Sequence, residues 1–178
     1  MALTLIKEDG TGLADANSYA DVADGDAYHD GHLYASAWTA ATADTKAKAL
    51  VFATRLIDAE RQFNGVKATE AQALQWPRAD CRDPDAVAES GAAAVLASDQ
   101  VPSAVVKAAC ELARELLIQD RTAAPPGEGL VSDWTSTAGK KFSKTDVRPI
   151  IPRLVQSLLG KYGTSIQRGN SIVRLVRA

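Results

Sequence analysis

Two histidines with neighbouring carboxylates form the one group of side chains in this sequence whose types and spacing could bind a metal ion. His29 and His32 stand three residues apart, with Asp26 and Asp30 beside them. Residues at this separation can share a helix face, and imidazole and carboxylate groups are ordinary ligands of zinc. However, Gly31 interrupts the pair, and the chain contains no third histidine. We therefore interpret these residues as surface polar groups and predict no metal or other cofactor.

Nucleophilic catalysis has no clear sequence signature either. A serine or cysteine nucleophile would need one of the two histidines as its base, and nothing in the local sequence selects such a nucleophile. Cys81 and Cys110 lie in unrelated contexts, and no phosphate-binding glycine loop is present. The carboxylates Glu111 and Glu115 fall on the predicted polar flank of a helix. We expect a protein that is not an enzyme, with reduced cysteines that are buried or half-buried.

Basic and aromatic residues occur together in one stretch of the chain. Nucleic-acid binding without sequence preference requires such a mixture on one surface. The residues concerned are Trp134, Lys140, Lys141, Phe142 and Lys144. They keep single-stranded-DNA binding open as an alternative function.

Charge is distributed unevenly, although the net charge of the 178 residues is only -2. Residues 1–34 carry seven acids against Lys7, whereas residues 138–178 carry nine bases against Asp146. The basic end is either a solvated face or tail, or a surface that docks onto another copy of the protein or onto an acidic partner. No apolar run approaches the length of a membrane span, so we expect no membrane partner.

Apolar periodicity predicts an all-α fold, a compact bundle of about four to five helices. The predicted helices cover about residues 19–30, 43–61, 69–76, 102–119 and a short stretch within 149–163. Asn17 and Ser18 supply side-chain oxygens that can cap the first helix, and Pro102 suits the first turn of another. Trp76-Pro77-Arg78 should end the 69–76 helix, because proline cannot continue it.

The chain divides into five segments. Residues 1–16 form an N-terminal arm, and residues 17–122 form the helical core, in which residues 79–100 are a loop insertion. A linker with short strands or an irregular hairpin follows at 123–148, then the short helix at 149–163 and an extended C-terminal arm at 164–178. Residues 171–177 of this arm are β-favouring and have no partner strand nearby in sequence, so we expect the arm to dock on another protein. The docking residues are Arg168, Ile172, Val173, Arg174, Leu175, Val176 and Arg177.

Four short motifs, in their order and spacing, resemble the head-tail adaptor proteins of tailed bacteriophages, also called connector or head-completion proteins. They are Asn17-Ser18-Tyr19, Ala37-Trp38 before a long alanine-rich helix, the stretch 72–78, and Val101-Pro102. The resemblance covers about residues 16–119, and related sequences are also labelled DnaT-like single-stranded-DNA-binding proteins. The motif residues with an expected structural role are Asn17, Ser18, Tyr19, Trp38, Trp76, Pro77, Arg78 and Pro102.

The resemblance implies a structural virion protein without turnover. Such proteins form a ring, commonly of twelve copies, beneath the portal of the capsid, where the ring continues the DNA channel and offers a docking surface for tail or stopper proteins. The expected partners are therefore other copies of the chain, the portal, neck proteins, and passing double-stranded DNA without sequence recognition. We expect the protein in the neck of the virion, and in the host cytoplasm during assembly. We also predict that the C-terminal arm inserts into the portal.

Overall fold

The computed structural model describes residues 3–86, 94–123, 132–134, 139–141 and 148–166. In these ranges the chain forms five helices. They are α1 (Val22–Asp30), α2 (Ser36–Thr39), α3 (Ala43–Glu60), α4 (Ser103–Ile118) and α5 (Arg153–Leu159). The core lies between α3 and α4, and α4 also packs against α1, α2 and α5. None of the described helices combines the length and the apolar character that crossing a membrane requires.

The same ranges also contain six short strands, so the prediction of an all-α fold is wrong and the protein is mixed α/β. The strands are β1 (Arg61–Phe63), β2 (Val66–Lys67), β3 (Arg78–Ala79), β4 (Ser132–Trp134), β5 (Gly139–Lys141) and β6 (Gly163–Ser165). They pair antiparallel as β1 with β6, β2 with β3 and β4 with β5. Strands of two or three residues are too short to show the alternation that identifies a strand in a sequence.

The two long helices lie where the sequence predicts them. Thr42 is the N-cap of α3, and its Oγ1 accepts a hydrogen bond from the Thr45 N–H at 3.3 Å. The buried face of α3 includes Leu50 and Ile57, as its periodicity predicts. Pro102 occupies the N-cap position of α4, one residue before the helix. Long apolar stripes are a strong local signal, which explains this agreement.

The first helix begins three residues later than predicted. Asp21, and not Ser18, is its N-cap, and it forms a capping box with the third helical residue. The buried face of α1 consists of Gly25 and His29. A Cβ atom at Gly25 would lie 2.3 Å from the Trp38 ring, so only glycine allows this close approach. Helix α2, which carries Trp38, is not predicted by the sequence.

The helix predicted at residues 69–76 is absent. Thr69 and Gln72 do exchange the two hydrogen bonds of a capping box, at 2.9 and 3.1 Å, but the chain continues in irregular turns. The Gln72 side-chain amide then donates to the backbone oxygens of Leu74 and Pro77, at 2.9 and 3.0 Å. The capping-box residues therefore close a loop here and do not start a helix.

The described ends of the 79–100 segment pair with each other. Leu96 N donates to Cys81 O at 2.8 Å, and Asp83 N donates to Ala94 O at 2.9 Å. Residues 94–96 are therefore extended.

Candidate functional site

Trp76 lies in the protein interior, at a cis peptide bond to Pro77. Its indole ring stands edge-on to the rings of Phe63 and Tyr162, with centroids 5.6 and 5.9 Å away. Phe63 ends β1, and Tyr162 directly precedes β6. The turn is therefore packed over the β1–β6 pair, which the sequence does not predict.

Arg78 binds the backbone of the turns around it. Its Nε donates to Asn64 O at 2.6 Å, and its Nη2 donates to Gly65 O at 2.7 Å and to Phe63 O at 3.4 Å. Its Nη1 donates to Gln75 O at 3.0 Å and to the Gln75 side-chain oxygen at 3.2 Å. The guanidinium thus links the turn after β1 to the turn before β3.

Tyr19, which is buried, and Asp58, which is half-buried, form a hydrogen-bonded pair beside the same turn. The Tyr19 hydroxyl donates to Asp58 Oδ1 and accepts from the backbone N–H groups of Gln75 and Trp76, at 3.1 and 3.3 Å. Asp58 Oδ2 accepts from Gln75 N at 3.1 Å. Burial raises the pKa of Asp58 to about 6, although the hydrogen bonds from Tyr19 and Gln75 oppose this. Burial also raises the pKa of Tyr19 well above its ordinary value, with the Asp58 charge acting in the same direction.

Asn17 and Ser18 fasten the N-terminal segment to the body and do not cap a helix. Asn17 Oδ1 accepts from Ile6 N at 2.9 Å, and its Nδ2 donates to Thr4 O at 2.9 Å. Ser18 O accepts from Glu8 N at 2.8 Å. Together with Tyr19, this motif connects the start of the described chain to α3 and to the Trp76 turn.

The two histidines at the end of α1 stay close, with ring centroids 5.7 Å apart, whereas Asp26 bonds elsewhere. His29 is buried, with Nε2 3.2 Å from Cys110 O and its ring 4.9 Å from the Trp38 ring, so its interpretation as a surface residue is wrong. The imidazole faces α4 and not solvent. Asp26 instead accepts from Trp38 Nε1 at 2.8 Å and from Lys46 Nζ at 2.7 Å. The described ranges contain no group of three or more His, Cys, Asp or Glu residues that could hold a metal ion.

A buried ionic network joins α1 to α4, and sequence reasoning missed it. Glu111 is 2% exposed, so its assignment to a polar flank is wrong. Its Oε1 accepts from Arg114 Nη2 at 2.6 Å, and its Oε2 lies 3.4 Å from the Tyr28 hydroxyl and 3.6 Å from His32 Nε2. Arg114 also donates to Glu115 at 2.6 Å. Burial and the Glu111 charge raise the pKa of Tyr28 to about 12.

Burial perturbs the pKa values of His29 and Cys110. Burial lowers the pKa of His29, so its imidazole is neutral at pH 7. Burial raises the pKa of the Cys110 thiol to about 12, which makes it a poor nucleophile. His29 contacts the backbone oxygen of Cys110 and not its sulfur. Both cysteines are buried and free, and the prediction of buried thiols is confirmed.

An open cleft of about 740 Å³ lies between α1 and the first half of α4. Its apolar wall includes Tyr28, Val101 and Val106, and Asp24 and Lys107 are its charged groups. Asp24 is already paired with Lys7 Nζ, at 2.6 Å. The cleft therefore has an apolar interior and one lysine available for a further ion pair.

The predicted basic and aromatic residues and the predicted docking residues fall partly or wholly outside the described ranges. A hairpin is present around Trp134, and its register places Trp134 opposite Gly139 and Asp133 opposite Lys140. Phe142 and Lys144 lie outside the described residues. So do the predicted docking residues Arg168, Ile172, Val173, Arg174, Leu175, Val176 and Arg177.

Comparisons with known proteins identify a family. No curated protein and no solved structure matches the chain. The family described as "Putative DnaT-like ssDNA binding protein" matches residues 3–178, which is nearly the whole chain. The chain therefore belongs to this DnaT-like family.

Proposed function

We propose that this protein is a structural virion protein of a tailed bacteriophage, a head-tail adaptor that joins the portal to the neck or tail proteins and continues the DNA channel. The observation that carries the proposal is the way in which the fold uses the motif residues that resemble adaptor proteins. Tyr19, Trp76 and Arg78 are buried, and their contacts lie within the chain. Side chains used in this way hold loops in place and are not available to a substrate, which supports a role without turnover.

A ring of identical copies requires each copy to present two different, complementary surfaces. The acidic residues around α1 and the basic residues of 138–178 support such an arrangement. In the proposed ring, commonly of twelve copies in adaptor proteins, the portal lies on one side and tail or stopper proteins lie on the other. Double-stranded DNA passes through the ring without sequence recognition. The protein resides in the virion neck, and in the host cytoplasm during assembly.

The C-terminal arm starts from a fixed point on the body. Arg61 donates to Gly163 O at 3.0 Å and to Ser165 Oγ at 2.9 Å, and Ile166 N donates to Glu60 O at 2.9 Å. These bonds hold β6 against β1 and against the end of α3. A docking segment that begins at a held strand loses less freedom on binding than one on a loose linker. This supports insertion of the C-terminal arm into the portal.

Deleting residues 169–178 tests the portal contact. The deletion leaves β6 intact, so the shortened protein should fold, which circular dichroism would check. We expect it to lose co-sedimentation with the portal protein of the same phage, whereas Arg55→Ala, an exposed change on α3, should bind as the wild type does. Undiminished binding of the shortened protein would disprove the arm contact. Absence of rings in electron micrographs of the protein mixed with portal would disprove the adaptor function.

Single-stranded-DNA binding is the second candidate function, and the family description favours it. The β4–β5 hairpin supports it too, because the register pairs Trp134 with Gly139, and Lys140 and Lys141 follow Gly139 on the same strand. Trp38 and Trp76 are buried and cannot stack on bases. This function therefore depends on the hairpin and on the residues that follow it.

The DNA-binding candidate predicts a salt-dependent affinity for a single-stranded oligonucleotide. Changing Trp134 and Phe142 together to Ala should abolish this affinity if the bases stack on these rings. Negligible binding of the wild type at moderate salt would eliminate the candidate.

A further inference from the structure

Two apolar side chains project from the loop between α1 and α2. Leu33 is 85% exposed and Tyr34 is 73% exposed, the two highest values among the large apolar side chains of the described ranges. Their backbone is nevertheless held, because Tyr34 N donates to His32 Nδ1 at 3.0 Å and Arg114 Nη1 donates to Tyr34 O at 3.5 Å. Apolar side chains on a held loop lose little conformational freedom on binding. We name Leu33 and Tyr34 the knob.

The cleft between α1 and α4 is an apolar recess on a different part of the surface. No residue that lines it belongs to the knob. Its volume of about 740 Å³ is ample for two side chains, since clefts of about 300–1,000 Å³ bury whole small ligands. Tyr28, Val101 and Val106 are only partly buried in the chain, so they retain apolar surface that a partner can cover.

Free charges of opposite sign accompany the two surfaces. Asp30 ends α1, three residues before the knob, and Lys107 lines the cleft. Both residues are exposed, and neither forms an ion pair within the part of the chain that the structure describes. A charge on each side of a contact fixes its register and disfavours the reverse pairing.

We propose that the knob of one copy of this protein docks in the cleft of a second copy, with Asp30 of the first copy facing Lys107 of the second. The contact uses two different surfaces, so copies add head to tail, and they close into a ring when the rotation between neighbours permits it. The closure of the copies into a ring rests on the proposed adaptor function. The knob and the cleft are the surfaces through which the copies associate.

Self-association of the full-length protein, measured by sedimentation velocity without portal, tests the contact. The double variant Leu33→Asp with Tyr34→Ser should associate at least about tenfold more weakly than the wild type, because it removes the apolar anchors. Val66→Asp is the matched control, since Val66 is also exposed but lies on neither surface. It should associate as the wild type does. A monomeric wild type, or a knob variant that associates normally, would overturn the proposal.

Charge reversal and cross-linking test the orientation. Asp30→Lys and Lys107→Asp should each weaken association, and the two changes together should restore it, which a loss of folding cannot imitate. Leu33→Cys combined with Ser103→Cys should give a ladder of disulfide-linked copies on mild oxidation, because Ser103 lines the cleft. Val66→Cys combined with Ser103→Cys should not. Failure of the charge rescue, or equal ladders from both cysteine pairs, would overturn the contact.

The two proposals fail in different ways. Association through the knob and cleft without any binding to portal would refute the adaptor function and support the contact. Rings that form on portal with knob variants as readily as with the wild type would refute the contact and support the adaptor function.

Discussion

Replacing Asp58 by Asn should change how the stability of this protein depends on pH. The Asp58 carboxylate accepts hydrogen bonds from the Tyr19 hydroxyl and from Gln75 N. An asparagine oxygen can keep the bond from Tyr19, but the asparagine NH₂ would then meet the Gln75 N–H, and one hydrogen bond is lost. This loss should cost about 1 kcal/mol at every pH.

The pH-dependent part of the stability difference between the two proteins follows from the desolvation of the Asp58 carboxyl group. Burial raises the pKa of Asp58 from 3.8 to about 6, so the folded protein holds this proton more tightly than the unfolded chain does. Protonation therefore stabilises the fold, fully below about pH 3.8, and the stabilisation is lost as the pH rises through about 6. The stabilisation by this proton is at most about 3 kcal/mol, since one pKa unit corresponds to about 1.4 kcal/mol. About 2 kcal/mol of it should be present near pH 4.5.

Urea unfolding, followed by the fluorescence of the buried tryptophans, measures this difference. The free energy of unfolding of the wild type minus that of Asp58→Asn should grow by about 2 kcal/mol between about pH 7.5 and about pH 4.5. The comparison of two proteins is needed because Asp26 acts in the opposite direction: its pKa is lowered by hydrogen bonds from Lys46 and Trp38. Asp44→Asn, at an exposed position in the first turn of α3, is the control and should show a much smaller change. A difference for Asp58→Asn that stays constant across this pH range would refute the desolvation of the carboxylate.

Three further predictions concern packing and the thiols. Arg78→Lys should lower the free energy of unfolding by about 2–4 kcal/mol, because one ammonium group cannot replace the forked bonds to several backbone oxygens; an unchanged urea midpoint would contradict this. Gly25→Ala should destabilise the protein by about 1–3 kcal/mol, since the new Cβ would lie 2.3 Å from an indole ring, whereas Gly31→Ala has nothing within 4 Å and should be nearly neutral. Equal melting temperatures for these two variants would show that the ring can move away. Cys81 and Cys110 should react with a thiol reagent slowly in buffer and rapidly in urea, because burial raises the pKa of both thiols; fast reaction in buffer would mean that the core opens readily.

Local sequence signals were sufficient to predict the two long helices and the burial of both thiols. The stripes of α3 and α4 repeat over 18 and 16 residues, which is long enough for a helical period to stand out. Proline chemistry correctly excluded a continuous helix through residues 76–78, but the helix that this stretch was expected to end is absent. The family motifs pointed to the structural role of Arg78 without showing its bonds.

The strands and the buried charges were decided by tertiary structure alone. Residues 61–63 become a strand because residues 163–165, about one hundred positions away, supply the partner backbone. Glu111 is buried because Arg114 and the end of α1 surround it, and Asp58 is half-buried because Tyr19 reaches it from another segment. A charged side chain costs free energy in the interior unless a partner meets it there. Apart from Arg114, which lies one turn along the same helix as Glu111, these partners come from distant parts of the chain, and no local pattern records them.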